Sequence, residues 1–271
     1  MAKIITLLTD FGVASTYAAQ MKGVILERCP DAVIVDMSHD VSRHDVRTAA
    51  FMLASAAPAF PQGTVHAAVV DPQVGSQRRI LAAEAGGHLY LAPDNGLLTL
   101  VAQAQFLFGT KGPPARVVSV ENRTFFRENV SSTFHGRDIY APVAAALAAG
   151  TPIDDLGGEV ESVERFDLPL PERRGDILRG EVLYVDPFGN LVTNIGGEMV
   201  TEPEGRAMEF RIAGAVIRGL CRAYSDVPGG VLLAYVGSAG LLEVAVNRQS
   251  AAVRLGALVG TRITARLPAI P

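Results

Sequence analysis

Six short stretches hold more Asp, Asn, Ser and Gly than an apolar chain needs for turns. They are TDFG (Thr9 to Gly12), VDPQVGSQRR (Val70 to Arg79), PDNGLLT (Pro93 to Thr99), STFHGRD (Ser132 to Asp138), DPFGNLVTNI (Asp186 to Ile195) and GSAGLLEVAVN (Gly237 to Asn247). Each alone is compatible with a plain turn. Together they supply carboxylates, amides, a histidine and an arginine pair, the groups that orient a small polar ligand and move protons. Asp10 and Asp71 each close an apolar, strand-like run. In open α/β sheets, ligands bind outside the carboxyl ends of the strands. The other chemistries are poorly supplied. The five histidines show no HExxH-like spacing, so no metal site is expected. No Gly-rich GxGxxG loop follows the first strand, which disfavours a methyltransferase. Cys29 and Cys221 lie far apart, forming neither a disulfide framework nor a metal knuckle.

The elements that must position these stretches follow from periodicity. Ile4 to Leu8, Ala32 to Met37 and Thr64 to Val70 read as buried strands. Tyr17 to Arg28, Asp45 to Ala56, Leu97 to Gln105 and Asp138 to Ala148 read as helices, and Ile80 to Glu84 with His88 to Ala92 as a β-pair. Strands alternating with helices predict a layered α/β domain with a central sheet. The texture changes near residue 160. Phe166 to Gly175 combines prolines with a charge run and reads as a linker. Beyond it come short strands at Ile177 to Val185, Ala207 to Ile212, Ala215 to Arg218, Val231 to Val236, Leu241 to Val246 and Leu258 to Ala265, which suit a small barrel. The predicted organisation is an α/β domain over 1–165, a linker over 166–176 and a C-terminal β-barrel domain over 177–271.

The chain has 271 residues, 49% hydrophobic and 19% charged, enough for two cores and too apolar for disorder. Its net charge of −4 and its lack of a Lys/Arg stripe argue against a nucleic-acid partner. The N-terminal stretch is too short and too quickly charged for a signal peptide, and no apolar run is long enough to span a membrane. A cytoplasmic protein is expected.

In order and spacing, these stretches resemble the S-adenosyl-L-methionine (SAM) hydroxide adenosyltransferases, also called SAM hydrolases, which are relatives of the fluorinase and chlorinase. The resemblance runs from Ile5 to about Gly260. It implies hydrolysis of SAM to adenosine and L-methionine, with SAM as substrate and no cofactor. It also implies a homotrimer, each ligand lying between one subunit's N-terminal domain and a neighbour's C-terminal domain. By the same resemblance Asp71, Arg78 and His135 position the attacking water, with Arg79 a rival for the arginine role. Asp10 would accept both ribose hydroxyls. Thr133, Phe134 and Gly136 would line the wall around C5′. Asn190 would bind adenine, donating to a ring nitrogen and accepting from the exocyclic amine. Phe188 would pack either on the ligand or in the core. Ser238, Glu243, Val246 (through its backbone) and Asn247 would surround the methionine part and the adenine.

Three positions depart from the family pattern. Ser15 stands where many relatives have an Asp near the methionine ammonium. His44 stands where many have an aromatic residue, and its default reading is an ordinary loop histidine. Gln73 replaces the first Gly of VDPGVG, which puts the local loop in question. His66 and His88 read as structural.

Two other functions are open to the sequence. A halogenase would form 5′-chloroadenosine, but it would need an uncharged residue at Asp71, because a carboxylate repels a halide. A SAM- or adenosine-binding module would bind without meaningful turnover.

Overall fold

The computed structural model describes residues 3–102, 116–200 and 208–266. The chain divides into two compact units, residues 1–166 and 167–271.

The first unit is built on β1 (Ile4–Thr9), β2 (Val33–Ser38), β3 (Val65–Val69), β4 (Ile80–Ala85), β5 (His88–Pro93) and β6 (Arg116–Ser119). They form one sheet in the order β2-β1-β3-β5-β4-β6. β2, β1, β3 and β5 run parallel, while β4 is antiparallel to both of its neighbours. Two helices, α1 (Tyr17–Arg28) and α2 (Val46–Ala56), make the crossovers. The Asp45 carboxylate caps α2 by accepting from Thr48 N at 2.9 Å. A short α3 (Thr99–Ala102) follows β5 and packs on α2. A wide π-type turn (Gly136–Tyr140) leads into α4 (Ala141–Ala148), which packs on α1.

Both faces of the central strands are covered, so β1 and β3 are buried almost throughout. Ile5, Leu7, Val65, Ala67 and Val69 meet Met21 and Ile25 of α1 and Val143 and Ala144 of α4 in one core cluster. The opposite face carries a polar insertion. Thr6 Oγ1 lies 2.8 Å from His66 Nδ1, His66 Nε2 lies 3.2 Å from His88 Nδ1, and Tyr90 stacks on His66. Burial pushes the His66 pKa down to about 3, and His88 also falls below the ordinary imidazole value. Both histidines are buried within the sheet and bonded to each other.

The second unit contains β7 (Glu172–Arg174), β8 (Ile177–Val185), β9 (Leu191–Gly196), β10 (Glu209–Ile212), β11 (Ala215–Arg218), β12 (Leu232–Val236), β13 (Leu241–Val246) and β14 (Arg262–Arg266). The order β11-β10-β14-β8-β9-β13-β12 is antiparallel throughout, and β11 returns beside β12, so the sheet is a nearly closed barrel. Its core includes Leu178, Leu191, Phe210, Leu242, Val244 and Ile263.

Several elements differ from the sequence reading. Strand β6 falls in a region assigned no element. Glu172–Arg174, inside the predicted linker, pairs with Ile177, Leu178 and Arg179 as a tight ribbon. Leu191–Gly196, read only as a motif, is a fully buried strand. A helix α5 (Ala251–Leu255) precedes the last strand, whose start moves from Leu258 to Arg262. Ser250 Oγ caps that helix by accepting from Val253 N at 3.1 Å, and Gly256 ends it in the left-handed conformation. Of the predicted Leu97 to Gln105 helix, the part after Ala102 lies outside the described residues, as does Ala207 of the predicted Ala207 to Ile212 strand.

Candidate active site

The order β2-β1-β3 makes the chain leave β1 toward one side and return on the other. Such a reversal opens a crevice at the carboxyl ends of the two strands. Thr9 of β1 and Val69 of β3 are register partners; Asp10 follows Thr9 directly and Asp71 comes two residues after Val69. The topology therefore delivers both carboxylates to one edge of the sheet.

Asp71 Oδ1 accepts from Arg78 Nη1 at 2.7 Å and from Gln73 N at 3.1 Å. Arg78 Nη2 in turn donates to Gln73 Oε1 at 2.7 Å. The departure at Gln73 thus closes the loop, its backbone holding Asp71 and its side chain holding Arg78. Arg79 points elsewhere. Its guanidinium donates to Asp94 Oδ2 at 2.9 and 2.5 Å and to Ser162 O at 2.9 Å. Arg78, and not Arg79, meets Asp71.

Asp10 Oδ2 accepts from His44 N at 3.0 Å. His44 has φ of +67°, unusual for a residue with a Cβ, so this N–H is aimed at the carboxylate at some backbone cost. His44 is more than an ordinary loop histidine, through its main chain. Ser15 Oγ donates to Gly12 O at 3.2 Å and steadies the TDFG turn.

The STFHGRD loop joins the other two by packing. Phe134 makes edge-to-face contacts with Phe11 and Tyr17, at centroid distances of 5.9 and 4.9 Å. Gly136 is buried, and a Cβ there would meet Met21 Sδ and Phe11 Cζ at 3.2 Å each. Thr133 is exposed, and its N–H donates to Ser131 Oγ. Gly75 seats the VDPQVG loop directly on Ser132.

His135 is half-buried and lines a pocket of about 780 Å³ with Arg28, Arg123, Phe126, Arg127 and Ile139. Among the described residues, no hydrogen bond joins His135 to Asp71 or Arg78.

The second unit carries the remaining candidates. Phe188, Asn190 and Val246 line a pocket of about 450 Å³ together with Tyr224, Arg248, Gln249 and Ser250. Phe188 is 79% exposed, so it is not core packing. Asn190 Nδ2 lies 2.8 Å from Asp186 Oδ2 and 2.9 Å from Tyr224 Oη. Its amide nitrogen is thus held between Asp186 and Tyr224. Glu243 is buried beneath Gly237, accepts from the Tyr235 hydroxyl, and has its pKa raised, chiefly by burial. It faces Tyr235 rather than open solvent. Ser238 is exposed on the turn between β12 and β13, and Asn247 Nδ2 donates to Val227 O at 2.8 Å. Sequence reasoning missed Tyr224, Tyr235 and Gln73. Tyr224 and Tyr235 sit in no Gly-rich motif, and Gln73 stood out only as a departure.

An α/β unit with a charged pair at its switch point, followed by an antiparallel barrel with a pocket for a small ligand, defines a two-domain ligand-binding architecture. Residues 5–157 match the SAM hydroxide adenosyltransferase N-terminal domain, and residues 180–264 match the C-terminal domain. The chain belongs to the SAM hydroxide adenosyltransferase family. It is 41% identical to the (R)-S-adenosyl-L-methionine hydrolase of Salinispora tropica, over 96% of each chain. A fluorinase from Nocardia brasiliensis is 29% identical, over 92% of each. The crystal structure of an uncharacterized conserved protein from Thermotoga maritima superposes with a TM-score of 0.87 at 36% identity, covering 97% of this chain and 99% of that one.

Proposed function

We propose that this chain hydrolyses SAM to adenosine and L-methionine. The observation that carries this reading is the Asp71–Arg78 pair at the carboxyl end of β3, beside Asp10 at the end of β1. A water oxygen attacks ribose C5′ while the C5′–S bond breaks and its electron pair goes to sulfur. Methionine leaves as a neutral thioether, so no general acid is needed. The requirements are an oriented water and a place for its proton. Asp71 Oδ1 is taken by Arg78 and Gln73, which leaves Oδ2 to hold the water and receive that proton. His135 is assigned, by motif resemblance, to help position the attacking water, with Thr133, Phe134 and Gly136 lining the wall around C5′. Asp10 takes the ribose hydroxyls. Ser15 is assigned to the methionine end. Phe188, Asn190 and Val246 take the adenine, with Ser238, Glu243 and Asn247 around them.

The candidate residues fall into two sets, one on each unit. That division supports the family's arrangement, a homotrimer in which neighbouring subunits complete each site. The assembly is proposed to be cytoplasmic. SAM is the substrate and no cofactor is assigned. No helix among the described residues is long and apolar enough to cross a membrane.

The test is chromatographic analysis of SAM incubated with the protein, with and without millimolar chloride. Adenosine in both arms is expected. 5′-Chloroadenosine at a comparable rate would make this a halogenase. SAM binding with no product above background would make it a binding module.

A further inference from the structure

Of the six polar stretches, PDNGLLT alone has no part in the proposed chemistry. Two of its residues nevertheless hold both ends of the loop that carries Asp71 and Arg78. At the near end, Asn95 Nδ2 donates to Val70 O at 2.9 Å. Val70 is fully buried and immediately precedes Asp71. At the far end, Asp94 N donates to Arg79 O at 2.9 Å, and the Asp94 carboxylate accepts from the Arg79 guanidinium.

The sheet explains why a side chain is needed at the near end. β3 pairs with β5 only as far as Ala67 with Leu91, and with β1 as far as Val69 with Thr9. Val70 therefore lies past the last pair of both ladders. The far end differs. Ile80 of β4 and Pro93 of β5 still pair in register, so the Asp94 N–H on Arg79 O continues that ladder. Truncating the Arg79 side chain leaves this main-chain bond in place. The Asn95 amide has a fixed orientation. Its Oδ1 accepts from Leu97 N at 3.2 Å, so the nitrogen is the atom that faces the Val70 carbonyl. One side chain thus has two separable tasks. Its oxygen closes the turn after β5, and its nitrogen ties that turn to the residue before Asp71.

Resting on the SAM-hydrolysing reading above, we propose that Asn95 is a positioning residue for Asp71. It touches no reacting atom. Its N–H fixes where the main chain leaves β3, and so where the Asp71 carboxylate meets the attacking water. Arg78 and Gln73 orient that carboxylate from within the loop, while Asn95 sets the root of the loop. Attack in line with the breaking C5′–S bond tolerates little displacement of the group that holds the water.

The experiment is steady-state kinetics of adenosine formation from SAM by the full chain, for the wild type, Asn95→Asp, Asp71→Ala and the double variant. Asn95→Asp keeps an oxygen for Leu97 N but turns a second oxygen on Val70 O, so the turn is retained and the tie becomes a repulsion. Its kcat is expected to fall about thirtyfold, with KM within about threefold. In the Asp71→Ala background the same substitution should change the residual kcat by less than about twofold, because the group it positions is gone. A merely structural role would lower kcat equally in both backgrounds. Asn95→Ser is the second probe. Its hydroxyl can still accept from Leu97 N but is too short to reach Val70 O, and it should show the same dependence on Asp71. The inference is overturned if the folded variants keep kcat within about twofold of wild type, raise KM as much as they lower kcat, or lose kcat equally with and without Asp71. It is also overturned if neither variant folds, which would make Asn95 a structural residue. A wild type that forms no adenosine overturns the functional reading and this inference with it, whereas a wild type that turns over SAM beside an unaffected Asn95→Asp overturns this inference alone.

Discussion

Arg78 holds Asp71 by a 2.7 Å hydrogen bond at the carboxyl end of β3, with the two side chains 19% and 9% exposed. An ion pair this enclosed fixes the carboxylate in one orientation, and the adjacent arginine does not share the task. Asp71→Ala should lower kcat about a thousandfold while SAM affinity stays within about tenfold, because the role proposed for this carboxylate is on the attacking water. Arg78→Ala should cost about a hundredfold, with Arg78→Lys recovering little, since an ammonium cannot serve Asp71 and Gln73 with two forked N–H groups. Arg79→Ala removes the same charge one residue on. It should leave kcat within about fivefold and instead lower stability by about 1 kcal/mol, the half-exposed Arg79 being screened while buried Asp94 loses a partner. Single-turnover kinetics and denaturant titration on the four variants separate the two roles. Equal kcat losses in the two arginine variants would remove the assignment.

Gly75 is where two motif loops meet. Its φ is +83°, and a Cβ there would lie 2.1 Å from Ser132 O. Gly75→Ala must therefore part the VDPQVG and STFH loops, with an expected loss of about 3 kcal/mol from clash and left-handed strain together. Gly12→Ala is the control. Gly12 also has positive φ, +77°, but its notional Cβ meets nothing within 4 Å, so only about 1 kcal/mol of strain should appear. Thermal melts of the two variants check this. Equal losses would mean that the Ser132 approach does not matter.

His44 tests whether a backbone N–H, and not an imidazole, supports Asp10. His44→Gly keeps the N–H bonded to Asp10 Oδ2 and relieves the φ of +67°. It should leave KM for SAM within about threefold, with stability unchanged or raised by up to about 1 kcal/mol. Asp10→Ala should raise KM by about thirtyfold or more, since it removes the acceptor proposed for the two ribose hydroxyls. If His44→Gly raised KM as much as Asp10→Ala, the ring itself would be the ligand contact.

Local chemistry was readable where residues close in sequence act together. Asp10 and Asp71 announce themselves at the ends of apolar runs, and the strand pattern placed them at one sheet edge before the order β2-β1-β3 was seen. Family spacing points to Arg78 over Arg79, and it is Arg78 whose guanidinium donates to Asp71 while Arg79 pairs with Asp94. What stayed hidden depends on pairing across the chain. Tyr235 and Glu243 face each other because β12 and β13 pair in one register, and Tyr224 reaches Asn190 across 34 positions. No local pattern encodes that. Leu191–Gly196 was missed as a strand because Thr193 and Asn194 break the apolar run. Both are buried, with Thr193 Oγ1 donating to Leu242 O and Asn194 Oδ1 accepting from Glu181 N.

The buried histidine pair predicts how the fold responds to acid. His66 binds a proton in the unfolded chain near its ordinary value of 6.5, but in the folded protein only near 3, and His88 shifts in the same direction. Burial disfavours the charged ring, and charge on the neighbouring His88 disfavours it further. Between these values the unfolded state holds more protons, so stability rises with pH. The contribution is fully present above about pH 6.5 and is lost as pH falls toward 3, by up to about 1.4 kcal/mol per pH unit for one such group. Many carboxylates also titrate below pH 5, so wild type alone would not isolate the effect. His66→Gln keeps polar atoms near Thr6 and His88 but cannot titrate. The stability gap between wild type and His66→Gln, measured by urea titration at pH 7, 6 and 5, should shrink as pH falls. A gap constant over that range would show that His66 protonates as easily folded as unfolded, and that the interior of the sheet is not what sets its charge.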